Sequence, residues 1–238
     1  MSGRTTVAER VLQFNEQLAE TVLQPPPGFT VINPFSGPRK EHVQEVTTAF
    51  YQRFYDDHEP RRLVLGSSPA RRGTAVTGVP FADSELLESE TGIDIDGYAI
   101  SRTSSGFVDD VIGLYGGRDK FYGDFVMSFV CPLGVVRTNA KGGEVNANYY
   151  ENKKLLASLH SFIVDTMKRQ LAFGTDASAC YCIGSGGNFK FLSSINKVER
   201  FFEKIVPLEH PRFITQYNPQ RRDEFVEKYV KALRGRTD

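Results

Sequence analysis

"LVLGSSPARRGTAVTGVPF", Leu63–Phe81, runs an uncharged apolar segment straight into a dense series of turn residues. Arg62–Leu65 reads as a buried strand, and Gly66, Pro69, Gly73, Gly78 and Pro80 prevent any single element from continuing. Three further segments share this form: Phe125–Cys131, Ala179–Ile183 and Lys204–Leu208. Each ends in its own turn: "GSSPA" at Gly66, "CPLG" at Cys131, "GSGGN" at Gly184 and "EHPRF" at Glu209. Amphipathic helical patterns over Tyr149–Ala172 and Asn188–Phe202 separate the later strands. Strands alternating with helices predict an α/β fold with a mainly parallel sheet and right-handed crossovers. The four turns then share the carboxyl edge of the sheet, where open α/β sheets bind ligands.

Outward from this centre, helices are expected over Thr6–Leu23, ended by "QPPPGF", and over Arg39–Tyr55. The acidic "DSELLESETGIDID" and the following "SRTSSGF" read as a surface loop, and Phe107–Tyr115 as a short helix. The 238 residues suit one domain, with residues 1–60 as a helical extension packed on it. The hydrophobic share of 40% supports a sizeable core, and no apolar run reaches membrane-span length. Met1 to Gln17 is too polar for a signal peptide, so a cytoplasmic protein is expected. Net charge is zero and does not announce a nucleic-acid partner. From Asn188 onward eleven Lys/Arg face seven Asp/Glu, a balance that suits either a phosphate backbone or an ordinary solvated helix face. Cys131, Cys180 and Cys182 lack metal-site spacing and are expected as reduced, buried thiols; no metal or cofactor is expected.

Several strand-end residues carry chemistry. Gly66-x-Ser68-x-Ala70, with His210 downstream, loosely matches the nucleophile elbow of a serine hydrolase. Pro69 opposes that reading, because the residue after an elbow serine must supply an N–H. His210, held between an apolar strand and Pro211, can present an N–H or an imidazolium to developing negative charge, or simply cap backbone carbonyls. Phe81 is a core residue or a stacking platform. The glycines of "GSGGN" admit a phosphate, and a tight strand-to-helix turn capped by Ser185 or Asn188 explains them equally well.

Gly66, Pro69, Gly73, Ala75, Thr77, Gly78, Val79, Pro80 and Phe81 match without a gap the first motif of the single-strand-selective monofunctional uracil-DNA glycosylases. "CPLG", "IGSGGN" and "EHPRF" resemble three further segments of that family in the same order, so the likeness spans about Leu63 to Arg212. The resemblance implies a three-layer α/β/α fold with a short four-stranded sheet. It also implies cofactor-free hydrolysis of an N-glycosidic bond in DNA, with the damaged base flipped out of the stack. Oligomerisation is not required. His210 would stabilise the departing base and Ser68 would hold the water. Gly66, Ser67, Pro69, Ala70, Phe81, Ser128, Phe129 and Cys131 would surround the base. Arg71, Arg72, Ser185, Gly186 and Arg212 would contact DNA, with Arg221 and Arg222 as further phosphate candidates. Arg212, Phe213 or Ile214 would fill the gap left in the duplex.

Three departures bear on specificity. The family's water-holding asparagine falls on Ser68, and the asparagine that reads uracil's amide edge falls on Phe129. Ala70 replaces the second glycine of the motif, adding a methyl at the pocket floor. Ser128, backbone groups or an asparagine in "VNANYYEN" would then read the base, which could be uracil or a deaminated purine such as xanthine or hypoxanthine. A lesion- or nucleotide-binding protein without chemistry is the alternative from another class.

Overall fold

The computed structural model describes residues 5–95 and 102–235. Met1–Arg4, Asp96–Ser101 and Arg236–Asp238 lie outside it, and with them parts of the polar segment Met1–Gln17, of the expected surface loop and of the basic C-terminal region. The chain opens with α1 (Val7–Ala19), whose Thr6 and Glu9 cap each other reciprocally. It stops four residues short of the expected end, because Pro25 and its neighbours bar further helix, and Val22 is left exposed. β1 (Phe29–Ile32), α2 (Lys40–Tyr55), β2 (Arg61–Gly66) and the single-turn α3 (Thr74–Thr77) follow.

The expected acidic loop is instead a helix, α4 (Ser84–Thr91). Asp83 caps its start by accepting from Leu86 N at 3.0 Å, and Gly92 closes it with φ 70°. Burial of Leu86 and Leu87 holds it to the core. The next helix is longer than expected. α5 (Arg102–Tyr115) begins five residues before Phe107 and buries Phe107, Val108, Val111, Ile112 and Tyr115 along one stripe.

After α6 (Arg118–Asp124) come β3 (Phe125–Phe129), β4 (Gly134–Thr138), β5 (Glu144–Asn146), α7 (Lys153–Leu171), β6 (Thr175–Ile183), α8 (Gly187–Glu199) and β7 (Ile205–Leu208). The chain finishes with α9 (Pro211–Tyr217), a 3₁₀ turn at Pro219–Arg221 and α10 (Arg222–Leu233). The four strands foreseen from the sequence form one sheet in the order β3-β2-β6-β7, and all three pairings are parallel. A second, antiparallel sheet, β1-β4-β5, was not foreseen.

The register of the main sheet assigns its two faces. Val64, Tyr181 and Met127 are neighbours across β2, β6 and β3, so Gly66 and Phe129 share their face, and Leu65, Cys182 and Ser128 take the other. Phe125 and Tyr181 pack edge-to-face, and Tyr115 of α5 and Phe121 of α6 pack on Phe125. On the opposite face Asn188 of α8 reaches the sulfur of Cys182, and α7 lies against β6. Helices on both faces give the three α/β/α layers. Among the described residues no helix is long and apolar enough to cross a membrane.

Candidate active site

Strand pairing runs on past the formal strand ends and holds the turns in line. Val130 N donates to Gly66 O and Cys131 N to Ser67 O, both at 2.9 Å, while Gly184 N donates to Leu208 O at 2.8 Å. The "GSSPA" and "EHPRF" turns therefore leave the same sheet edge, separated by β6. Two strand spacings put their backbones about 10 Å apart.

Gly66 is where the first wall forms. A Cβ there would stand 2.8 Å from the rings of both Phe129 and Phe81. Only glycine lets both rings close over the strand end, where they lie offset-stacked with centroids 5.5 Å apart and planes 21° apart. Phe81 has φ 57°, a left-handed backbone that a bulky side chain adopts only under constraint. The constraint is local: Phe81 N donates to Thr74 Oγ1, and Gly78 turns the chain with φ 75°.

The loop between these residues leans on the small sheet. Arg71 N donates to Asn146 Oδ1 of β5 at 2.8 Å, and Gly134 of β4 lies so near that a Cβ would come within 2.8 Å of Pro69 O. Asn146, from the asparagine-rich stretch considered for base reading, is thus engaged with backbone. Ser68 is half-buried, Ser67 and Pro69 are buried, and Ala70 is exposed.

On the other side stands His210, the N-cap residue of α9. Its Nδ1 accepts from Arg212 N at 3.1 Å. It therefore caps an N–H, not a carbonyl as considered from the sequence. A backbone N–H can only donate, so Nδ1 carries no proton and the ring's single N–H sits on Nε2. Burial, with Arg212 nearby adding to it, pushes the imidazole below its ordinary range. The ring offers its N–H through Nε2, and the downward shift favours the neutral form over the imidazolium.

The family model described as the uracil DNA glycosylase superfamily matches residues 52–234. The chain belongs to the uracil DNA glycosylase superfamily. It is similar in structure to SMUG2 of Pedobacter heparinus, with 38% identity, a TM-score of 0.91 and 98% of each chain covered. That likeness sets it in the SMUG-like branch and includes the N-terminal helices, which the sequence motifs alone did not reach. No curated protein matches it.

Within this glycosylase-type fold, the remaining sequence candidates divide by position. Ser128 is buried on the face of β3 away from Phe129. Cys131 is fully buried and its thiol, pushed up to about 12 by burial, faces Leu133 O. Its N–H is engaged with Ser67 O, so neither its thiol nor its N–H is free to meet a base. Cys180 and Cys182 are likewise free and buried. Arg72, Arg212, Ser185, Gly186 and Phe213 are exposed along the same edge, and Arg71 is half-buried. Ile214 is not a wedge: it has 0% exposure, because the second turn of α9 points it into the core. Arg222 is also not a free phosphate ligand, since it binds Asp110 and Gly106 O of α5. Arg221 pairs with Glu224.

A serine-hydrolase site is not assembled. Pro69 supplies no N–H beside Ser68, and the Nδ1 that a triad gives to a carboxylate is occupied by Arg212 N. A cavity of about 20 Å³ lies between α1 and the strand ends, bordered by Asn15, Pro69, Thr74, Ser128 and Phe129. It is water-sized, and Gly66, Ser68, Phe81 and His210 do not line it, so it is not a base pocket.

The "GSGGN" turn has a support that sequence reading assigned wrongly. Neither Ser185 nor Asn188 caps α8. Asn188 is buried and reaches backward: Nδ2 donates to Ile183 O at 2.9 Å, and Oδ1 accepts from Tyr149 O–H at 2.6 Å. Asn188→Ala leaves both partners buried and unpaired, and is expected to lower folding stability by about 2–3 kcal/mol. Urea denaturation checks this; an unchanged midpoint would mean that the two groups find other partners.

Proposed function

We propose that this protein hydrolyses the N-glycosidic bond of a deaminated base in DNA, leaving an abasic site without a lyase step. The carrying observation is the neutral His210 ring, whose single N–H is on Nε2, across one strand from the Phe81–Gly66 wall. Deamination replaces an exocyclic amine with a carbonyl. A fixed N–H donor accepts the carbonyl and disfavours the amine, so the same group selects the lesion and assists its departure.

In this reading the flipped base stacks on Phe81 and directs a carbonyl oxygen at His210 Nε2. The C1′–N bond breaks with its electron pair leaving on the base, and His210 stabilises the anion by hydrogen bonding without giving up its proton. Water, held by the Ser68 hydroxyl, forms the new bond to C1′ and loses its proton to solvent or to the departing base. No lysine lies in the four strand-end turns to form a Schiff base. Phe129 offers the base an apolar edge, so selectivity rests on His210 and on backbone groups. The substrate class is uracil together with the deaminated purines xanthine and hypoxanthine. Arg71, Arg72 and Arg212 contact phosphates, Ser185 and Gly186 approach the strand, and Phe213 stands where a base leaves the stack.

The test is free-base release, read by mass, from single- and double-stranded oligonucleotides carrying uracil, hypoxanthine or xanthine. Release from at least one is expected. Tight, salt-dependent binding with no release from any would support the binding-protein alternative. Phe81→Ala is expected to slow release more than tenfold, about 1.4 kcal/mol of transition-state stabilisation. An unaltered rate would remove stacking on this ring from the reading.

A further inference from the structure

The His210 corner is gripped from a helix that no strand-end motif includes. Tyr229, buried in α10, donates its hydroxyl to Glu209 O. Its ring packs edge-to-face on Phe107 of α5, with centroids 5.1 Å apart, so the hydroxyl is aimed by two helices. α10 is itself tied to α5: Arg222 binds Asp110 and Gly106 O, and Arg234 binds Leu114 O and Tyr115 O. The neighbouring Lys228–Glu209 pair also crosses this gap, but Lys228 is solvent-exposed and such pairs contribute little.

The Glu209 carbonyl and the His210 N–H belong to one planar peptide unit. Fixing the carbonyl fixes that plane, and with it the direction from which the His210 ring departs. The His210 Cα lies in that plane, so a single soft backbone torsion, about the N–Cα bond of His210, then separates the gripped plane from the Cβ that carries the imidazole. We propose that Tyr229 is a positioning residue for His210, aiming Nε2 across the strand-end gap through the Glu209 carbonyl. Tyr229 touches no base or sugar and acts wholly through the peptide.

This inference builds on the glycosylase reading, so its test needs one readout that is independent of activity. Tyr229→Phe removes the donor and keeps the ring, and so the packing on Phe107. The full-length variant is expected to lose about tenfold in kcat with KM unchanged, as displacement of a catalytic group does. The ¹⁵N shifts of the His210 imidazole should move from a single Nε2–H tautomer toward a mixture. Val226→Ala, which trims the buried face of the same helix without reaching Glu209, controls for loosening of α10 and should leave kcat and tautomer intact. Full kcat with an unaltered tautomer in Tyr229→Phe would overturn the proposal, as would an equal loss in Val226→Ala. If the unmodified protein releases no base, the glycosylase reading fails alone, and the nitrogen shifts still decide the role of Tyr229.

Discussion

His210→Ala is expected to slow base release by about a hundredfold or more, the usual cost of losing one donor to a developing anion. The loss should fall on the chemical step, because the proposed function assigns oligonucleotide affinity to phosphate contacts and to stacking on Phe81. Single-turnover release beside oligonucleotide binding separates the two: binding within a few-fold of the parent, release strongly reduced. Release at the parental rate would take His210 out of the mechanism. The acid limb of the rate carries a second expectation. Protonation would put an N–H on Nδ1 against Arg212 N–H, and burial already holds the ring below its ordinary range. Activity should stay level as pH falls to the usual imidazole value of 6.5 and decline only below it. Stability has the same direction. The unfolded chain takes up its proton near 6.5 while the folded corner resists, so this group contributes nothing above that value and costs stability as pH falls through it.

The central sheet was legible because each strand combines apolar residues with an unmistakable terminator. Val64, Met127 and Tyr181 could each be set in a strand of one parallel sheet, whereas the order of those strands comes only from the fold. The helix at Ser84–Thr91 was not legible. Its Asp83 cap, Leu86–Leu87 pair and Gly92 stop are all present in the sequence, but the abundance of glutamate drew the reading toward loop. The small sheet was missed for another reason. β5 has three residues and an exposed–intermediate–exposed pattern, so no periodicity survives in it, and only its pairing with β4 defines it. Ile214 and Phe213 adjoin one another and look alike as wedges; which one is buried depends on α9 packing against α5, a tertiary fact. Tyr229 was invisible for the same cause. It lies twenty residues from Glu209 with no motif around it, and only the fold brings its hydroxyl to that carbonyl.

Gly66→Ala tests the other wall of the site. The added methyl would meet three aromatic carbons at 2.8–2.9 Å, distances that require movement. The strand cannot retreat, because Gly66 O accepts from Val130 N, and β2 lies between β3 and β6. A ring must move instead. Phe129 is buried at 5% exposure at the end of β3, whereas Phe81 is only partly buried and already sits in a left-handed conformation. Phe81 is therefore the residue that gives way, and the proposed stacking platform is lost with it. Overpacking of this kind costs about 1–3 kcal/mol of stability. Displacing the platform by about 1 Å costs about a hundredfold in base release. Thermal unfolding and the release assay on one preparation check both numbers. The pairing of effects is diagnostic: a double variant, Gly66→Ala with Phe129→Leu, makes room beside the new methyl and should recover stability and part of the rate together. Recovery of stability alone would mean that the Phe81–Phe129 stack itself, and not merely the position of Phe81, forms the surface on which a base settles.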